Sequence, residues 1–190
     1  MNSIVTAGHS SAPASARRIH RSAPHPIARI HLIGSMRATT YLGDDILPRG
    51  KKARAILAYL CFAFGTKVPR VRLASMLWDR ASDEQARTSF RRALSDLTLA
   101  MGPLAAELIL TGRATVRLNT NACWIDALAM LESSYRDSGR GDLAVLCAGE
   151  LLEGLEDVSA TFDRWLRQQR LALTGEIRSA LDAVLLDQID

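Results

Sequence analysis

Arg87, Thr88, Arg91, Arg92 and Ser95 lie close together in the stretch SDEQARTSFRRALSDLTLAMG, from Ser82 to Gly102. A guanidinium group offers paired donors that match guanine or a phosphate, and Thr and Ser hydroxyls suit smaller base or phosphate contacts. Wound at about 100° per residue, the stretch places Thr88, Arg91, Arg92, Ser95 and Leu99 on one helical face, with Arg87 on its flank. Ala86, Phe90, Ala93, Leu94, Leu97 and Met101 occupy the opposite face and read as core. Ser82 is placed to cap the helix, Gln85 to close a capping box, and Asp83 and Glu84 suit the first turn. The chemistry on offer is recognition of a polyanion. A merely solvated outer face would look the same, so the surrounding elements decide.

Those elements begin near Ile27. In IARIHLIGSMRATT the even positions are apolar or small and the odd ones mostly polar, which predicts a strand with one buried face. Gly43-Asp44-Asp45 predicts a turn and ILP a short return strand. RGKKARAILAYLCFAFG changes to a helical period, with Ala53, Ile56, Leu57, Leu60 and Phe64 on one face and Gly65 as a stop. A second helix is predicted from about Pro69, burying Leu73, Leu77 and Trp78. The arginine-bearing helix follows, and LILTGRATVRLN predicts a hairpin around Thr111-Gly112-Arg113. Helix, helix, hairpin is the order of a winged helix. The later helix would enter the major groove, and the hairpin would lie beside it on the backbone. Arg113 and Arg117 on the hairpin suit phosphates, where charge matters more than geometry. Lys51 and Lys52 begin the first helix, where backbone N–H groups also favour an anion.

Charge distribution points the same way. The net charge of +4 over 190 residues hides an asymmetry: residues 1–120 carry 18 Lys+Arg against 7 Asp+Glu, and residues 121–190 carry 6 against 13. A basic front half implies a polyanionic partner such as double-stranded DNA. An acidic rear half would be repelled by the same partner and serves another role. Residues 1–26 are rich in Ser, Ala, Pro and Arg, lack acidic residues and show no apolar period, and so read as a disordered basic arm. Their composition is also that of an organelle transit peptide, the less favoured reading. All the histidines, His9, His20, His25 and His31, lie in or just after this arm, at no metal-ligand spacing.

Other chemistries are not supported. Gly50-Lys51-Lys52 lacks the glycine at 45 and the hydroxyl at 52 that a phosphate-binding loop needs; Asp45 and Lys52 stand there instead. No nucleophile–base pair, paired carboxylates or metal cluster stands out, so neither an enzyme nor a cofactor is expected. Cys61, Cys123 and Cys147 are odd in number and far apart, which implies a reducing, cytosolic location and buried thiols. No apolar run reaches the roughly 18 residues of a membrane span.

Beyond residue 121 the sequence reads as helical. WIDALAMLESSYRDSG predicts a helix stopped by Gly139, and DLAVLCAGELLEGL a second stopped by Gly154. A long helix is predicted from about Phe162 to the end, with Phe162, Trp165, Leu166, Leu173, Ile177, Ala180, Leu181 and Val184 as its stripe.

IHLIGSMRATT, LPRGKKARAILAYL, VRLASMLW and EQARTSFRRALSDL closely resemble the OmpR-type winged helix of the SARP activators, the antibiotic regulatory proteins of actinomycete type. WIDALAMLESS and AGELLEGLEDVSATFDRWLRQQRLAL resemble the start of the bacterial transcriptional activator domain that follows it. The second stretch is the more specific, because an ELLEGL turn followed by F-x-x-W-L-x-x-x-R is an unusual combination. The resemblance spans roughly residues 28–185. It implies a mainly α fold with small β elements: a winged helix-turn-helix domain over 27–121 and a tetratricopeptide-like α-helical domain, a partial activator domain, over 122–190. It also implies transcriptional regulation, with Arg91, Arg92 and Ser95 on the groove-reading helix, Arg113 and Arg117 on the wing, and RNA polymerase or another protein as partner of the helices.

The chain departs from that pattern twice. Asp96, Thr98 and Leu99 stand where family members commonly carry further basic residues, and the rear segment is shorter than the family's activator domain. Stacked helix pairs need neighbours to bury their faces. A fragment of a longer protein, a naturally short form and a homodimer closing over Leu185, Leu186 and Ile189 all account for this. The departures leave a second reading: an interaction scaffold whose winged helix no longer reads DNA.

Overall fold

The alternation over residues 28–38 does bury its even positions, but the chain reverses midway. In the computed structural model, which describes residues 26–133 and 149–187, two strands replace the single one expected. Strand β1 (Ala28–His31) runs antiparallel to β2 (Arg37–Thr40), with Ile30 opposite Ala38. Gly34, at φ 74°, turns the chain between them. Ala28, Ile30, Leu32, Met36 and Ala38 are all buried. The expected return strand at Ile46–Pro48 reduces to one bridge between Thr39 and Asp45.

Helix α1 (Lys51–Phe62) is buried on almost every side, from Ala53 through Cys61. It ends two residues before Phe64, which was expected in the core but takes φ 50° in the exit turn and is exposed. A two-residue strand β3 (Val68–Pro69) leads into α2 (Arg70–Leu77), and α2 leads through a short turn into α3 (Asp83–Met101). The Ser82 hydroxyl accepts the Gln85 N–H at 3.4 Å, so the cap forms as the sequence implies. A 3-10 turn and a one-turn helix α4 (Ala105–Leu108) connect to the hairpin β4 (Ile109–Thr111) and β5 (Thr115–Leu118). β3 pairs with β5 on its other side, completing a small antiparallel sheet.

The rear segment departs most from expectation. Cys123–Ile125 is not the start of a helix. It is strand β6, parallel to β1, and it extends the first sheet in the order β2-β1-β6. Helix α5 (Asp126–Ser133) follows. The helix expected to end at Gly154 is absent over residues 150–155, which form turns. Leu151 and Glu153 bridge to Ile33 and Ser35, and Leu152 sits at φ 55°. Gly149 passes so close that a Cβ there would lie 3.0 Å from the Cα of Gly34. Helix α6 (Ala160–Asp187) then packs against α2 and α5 through buried Phe162, Leu166 and Leu173. Trp165 joins it to α1, with ring centroids 5.1 Å from Tyr59 and 5.8 Å from Phe62. The basic arm before Pro26, the stop at Gly139, Cys147, and the side chains of Ile177, Ala180, Leu181, Val184, Leu185, Leu186 and Ile189 lie outside the described residues. No helix among the described residues is long and apolar enough to cross a membrane.

Two charged side chains join the rear segment to the first sheet. Asp126 is buried, and its carboxylate accepts the N–H groups of Leu32 (2.8 Å), Ile33 (3.2 Å) and Ala127 (2.7 Å). The Arg170 guanidinium donates to the Leu151 carbonyl at 2.9 Å and the Leu152 carbonyl at 3.4 Å, and pairs with Glu150 at 3.1 Å and with Glu156. That hydrogen bond from Arg170 holds the Glu156 carboxyl below its ordinary value.

Asp126→Ala should therefore cost about 3 kcal/mol in urea denaturation, since it strands buried N–H groups that a charged acceptor had satisfied. A loss below about 1 kcal/mol would mean that the turn finds other partners. The Glu156 contribution has the sign of a depressed carboxylate. It is present above the group's unfolded value and lost as pH falls through the lowered folded-state value. Replacing Glu156 by Gln should accordingly destabilise the chain at about pH 6, and the difference should shrink as pH falls below the group's unfolded value, read by thermal melts across that range.

Candidate nucleic-acid interface

The core face of α3 is the one its periodicity predicts: Ala86, Phe90, Ala93, Leu94, Leu97 and Met101 are buried, facing α1 and α2. Their burial fixes what faces out. Arg87, Thr88, Arg91, Arg92 and Ser95 are all exposed along the opposite side. Arg91 donates to the Thr88 hydroxyl at 3.0 Å, and Arg87 lies 4.0 Å from Asp83 one turn earlier. Both Asp83 and Arg87 are well exposed, so that pair is weak. Asp96 shares the outer face, and Leu99 stands 80% exposed on it.

The hairpin stands after α3 in the chain, and its tip is tied to the start of α2. Val116 and Leu118 are buried, so Arg117 between them faces the other side of the ribbon and is half-buried. Arg113 is exposed at the tip. The tip is braced by Arg70, a residue the sequence reading passed over. Its N–H donates to the Ala114 carbonyl at 2.9 Å and its Nε to the Thr115 carbonyl at 3.4 Å. Nothing local in VPR marks this role, because it depends on β3 pairing with a strand nearly fifty residues away.

The two lysines at the start of α1 separate. Lys51 is exposed. Lys52 turns inward: its ammonium donates to the carbonyls of Leu77 and Val158 and lies 5.3 Å from the centroid of the Trp78 ring. Burial lowers its pKa from the ordinary value, against the pull of the Asp79 and Asp163 carboxylates. The structure thus brings Arg87, Thr88, Arg91, Arg92 and Ser95 onto one face and Arg113 and Arg117 onto one hairpin, and leaves Lys52 apart from both.

Burial pushes the Cys123 thiol up to about 12 and raises Cys61 well above its usual value, so both are protonated at neutral pH. A cleft of about 170 Å³ lies where α1, β3, α2 and α6 meet, lined by Tyr59, Phe62, Lys67, Arg72, Trp165 and Gln169 among others. It contains no nucleophile–base pair and no carboxylate. No group of His, Cys, Asp and Glu with metal-ligand geometry occurs among the described residues.

The two faces of α3 should respond differently to truncation. Arg91→Ala and Arg92→Ala should each shift stability by less than about 0.5 kcal/mol, because both side chains are exposed and Ala is the best helix former. Phe90→Ala should cost about 3–5 kcal/mol through the cavity it leaves. Chemical denaturation of the three variants checks this, and a large loss in either arginine variant would contradict the assigned orientation of α3.

No protein-family model and no curated protein matches this chain. Among solved structures it is similar to EmbR of Mycobacterium tuberculosis, determined in complex with a low-affinity phosphopeptide. The two share 20% identity at a TM-score of 0.58, over 81% of this chain and 43% of that one. The chain therefore spans less than half the length of that structure. At this identity the likeness concerns architecture alone: the fold is mainly α with small β-sheets, a winged helix joined to a helical region.

Proposed function

We propose that this chain is a DNA-binding transcriptional regulator of SARP type, not an enzyme, that acts in the cytoplasm without a cofactor. Helix α3 enters the major groove, and the β4–β5 hairpin rests on the backbone. Lys51 adds charge at the start of α1. The rear helices, α5 and α6, contact RNA polymerase or another protein, and the chain works as a homodimer. The observation that carries this reading is the outer face of α3. Its arginines and hydroxyls are exposed together, its rotation is fixed by a buried stripe, and an arginine-tipped hairpin belongs to the same winged helix. The basic charge of residues 1–120 supports it, because phosphate neutralisation supplies most of the affinity of such proteins.

The second reading, a protein-interaction scaffold, draws support from the same face. Asp96 would oppose phosphates, and the exposed Leu99 offers an apolar contact of the kind protein partners use. A selection from random duplexes with the full chain separates the two. Recovery of a repeated motif supports the regulator, and a pool without one supports the scaffold.

Titration on the selected duplex and on random DNA should then sort the residues by role. Arg91→Ala and Arg92→Ala should lose about 1–3 kcal/mol on the selected duplex and relax choice at one base position each. Arg113→Ala should weaken both duplexes alike and reduce the slope of log affinity against log salt by about one. Unchanged binding by both helix variants would leave the α3 face as solvated surface.

A further inference from the structure

Four side chains from three stretches of the chain meet where α2 ends. Lys52 Nζ donates to the carbonyls of Leu77 and Val158. Ser159 Oγ donates to the Met76 carbonyl at 2.6 Å and accepts the Phe162 N–H at 3.1 Å. Asp79 Oδ2 accepts from Thr161 twice, from its N–H at 3.0 Å and its hydroxyl at 3.1 Å. The groups being bridged are the last carbonyls of α2 and the first N–H groups of α6. A helix leaves these groups without internal partners. Here each helix end supplies what the other lacks, and the turn from Trp78 to the Ser82 cap, which leads into α3, runs directly out of this junction.

We infer that Lys52, Asp79, Ser159 and Thr161 form a latch through which α6 holds the end of α2 and the turn before α3, so that the pose of the recognition face depends on α6 being docked. The functional half of this inference rests on the DNA-binding reading; the latch itself does not. Lys52 is then a positioning residue rather than a phosphate contact. An ammonium has three donors, and two of those on Lys52 are engaged inside the protein. Its packing against the Trp78 ring and the nearby carboxylates of Asp79 and Asp163 keep it there. The Thr161 N–H bond holds the Asp79 carboxyl below its ordinary value, so this end of the latch is charged at neutral pH.

The test uses the full chain with Lys52→Met, Lys52→Arg, Thr161→Val and Lys51→Met. Hydrogen exchange read by mass spectrometry comes first. Lys52→Met and Thr161→Val should both speed exchange in residues 78–82 and 159–163, although each substitution touches only part of the junction. Unchanged exchange in either region overturns the latch, and because Thr161 is exposed, its variant gives an answer even if Lys52→Met folds poorly.

Titration on the selected duplex comes second. Lys52→Met should weaken binding about fivefold or more, the lower end of ordinary coupling between sites. Its salt slope should stay at the wild-type value, and Lys52→Arg should recover part of the loss. Random-duplex affinity should change little. A merely structural lysine would lower the melting temperature without moving the ratio of selected to random binding below that temperature. A slope reduced by about one in Lys52→Met, as a phosphate contact requires and as Lys51→Met serves to calibrate, overturns the positioning role. If the wild-type chain binds no duplex, the DNA reading and the positioning role fall together, while the exchange data still decide the latch.

Discussion

The rotation of α3 about its own axis is the constraint from which the rest of this structure follows. One residue of rotation is about 100°, so a shift of one position would bring Arg91 toward α1 and α2 and lift Phe90 into water. Burying Phe90, Leu94, Leu97 and Met101 is worth roughly 1.5–3 kcal/mol each, and placing an unpaired guanidinium in their stead would cost several more. No arrangement of surface ion pairs competes with that difference, because exposed pairs such as Asp83–Arg87 contribute little. The outer face is therefore chosen by the inner one. Arginines at 87, 91 and 92 become neighbours in solvent because alanine, phenylalanine and leucine must not be there.

The same logic, worked with backbone groups instead of side chains, joins the rear of the chain to the front. Wherever an element is short or broken, its N–H and C=O groups need partners from elsewhere. The turn after β1 presents two N–H groups, and the buried Asp126 carboxylate takes both. The irregular run from Glu150 to Leu155 presents carbonyls, and Arg170 takes two of them. This gives the F-x-x-W-L-x-x-x-R spacing a physical meaning. Phe162, Trp165, Leu166 and Arg170 stand at helical intervals on one side of α6. The first three pack against the core, and the fourth reaches the turn that precedes the helix.

What was legible in the sequence was whatever a single period could carry. The stripe of α3, the cap at Ser82, the hairpin and the start of α2 follow from spacing alone. The alternation over 28–38 gave the right buried face but concealed the reversal at Gly34, since both strands of a hairpin can keep the same parity. Strand β6 was hidden because three residues, Cys123–Ile125, carry no period, and their parallel pairing with β1 is a contact across nearly a hundred positions. Residues 150–155 read as helix by composition, yet leucine-rich ELLEGL is held open by docking onto Gly34 and by Arg170. Lys52 misled for a different reason. A lysine at a helix start signals anion binding only if its side chain leaves the protein, and the carbonyls that draw it inward belong to Leu77 and Val158, far along the chain.

The two halves of the outer α3 face differ in a way that bears on how it would be used. Its first half carries Arg87, Thr88, Arg91 and Arg92, with Arg91 already tethered to the Thr88 hydroxyl. Its second half carries Ser95, Asp96 and the exposed Leu99. In helix-turn-helix docking the N-terminal residues of the second helix approach the base edges, while the far end runs out toward the backbone and solvent. The cationic half of α3 is thus the half such docking would insert. Asp96 and Leu99 would then sit where a carboxylate is screened by salt and where an apolar side chain can meet a thymine methyl or a protein bound alongside. On the DNA reading, fewer positive charges at this end would mean fewer phosphate contacts, with the groups that would read bases unaltered. On this geometry the DNA reading would use the first turns of the helix and the protein reading the last.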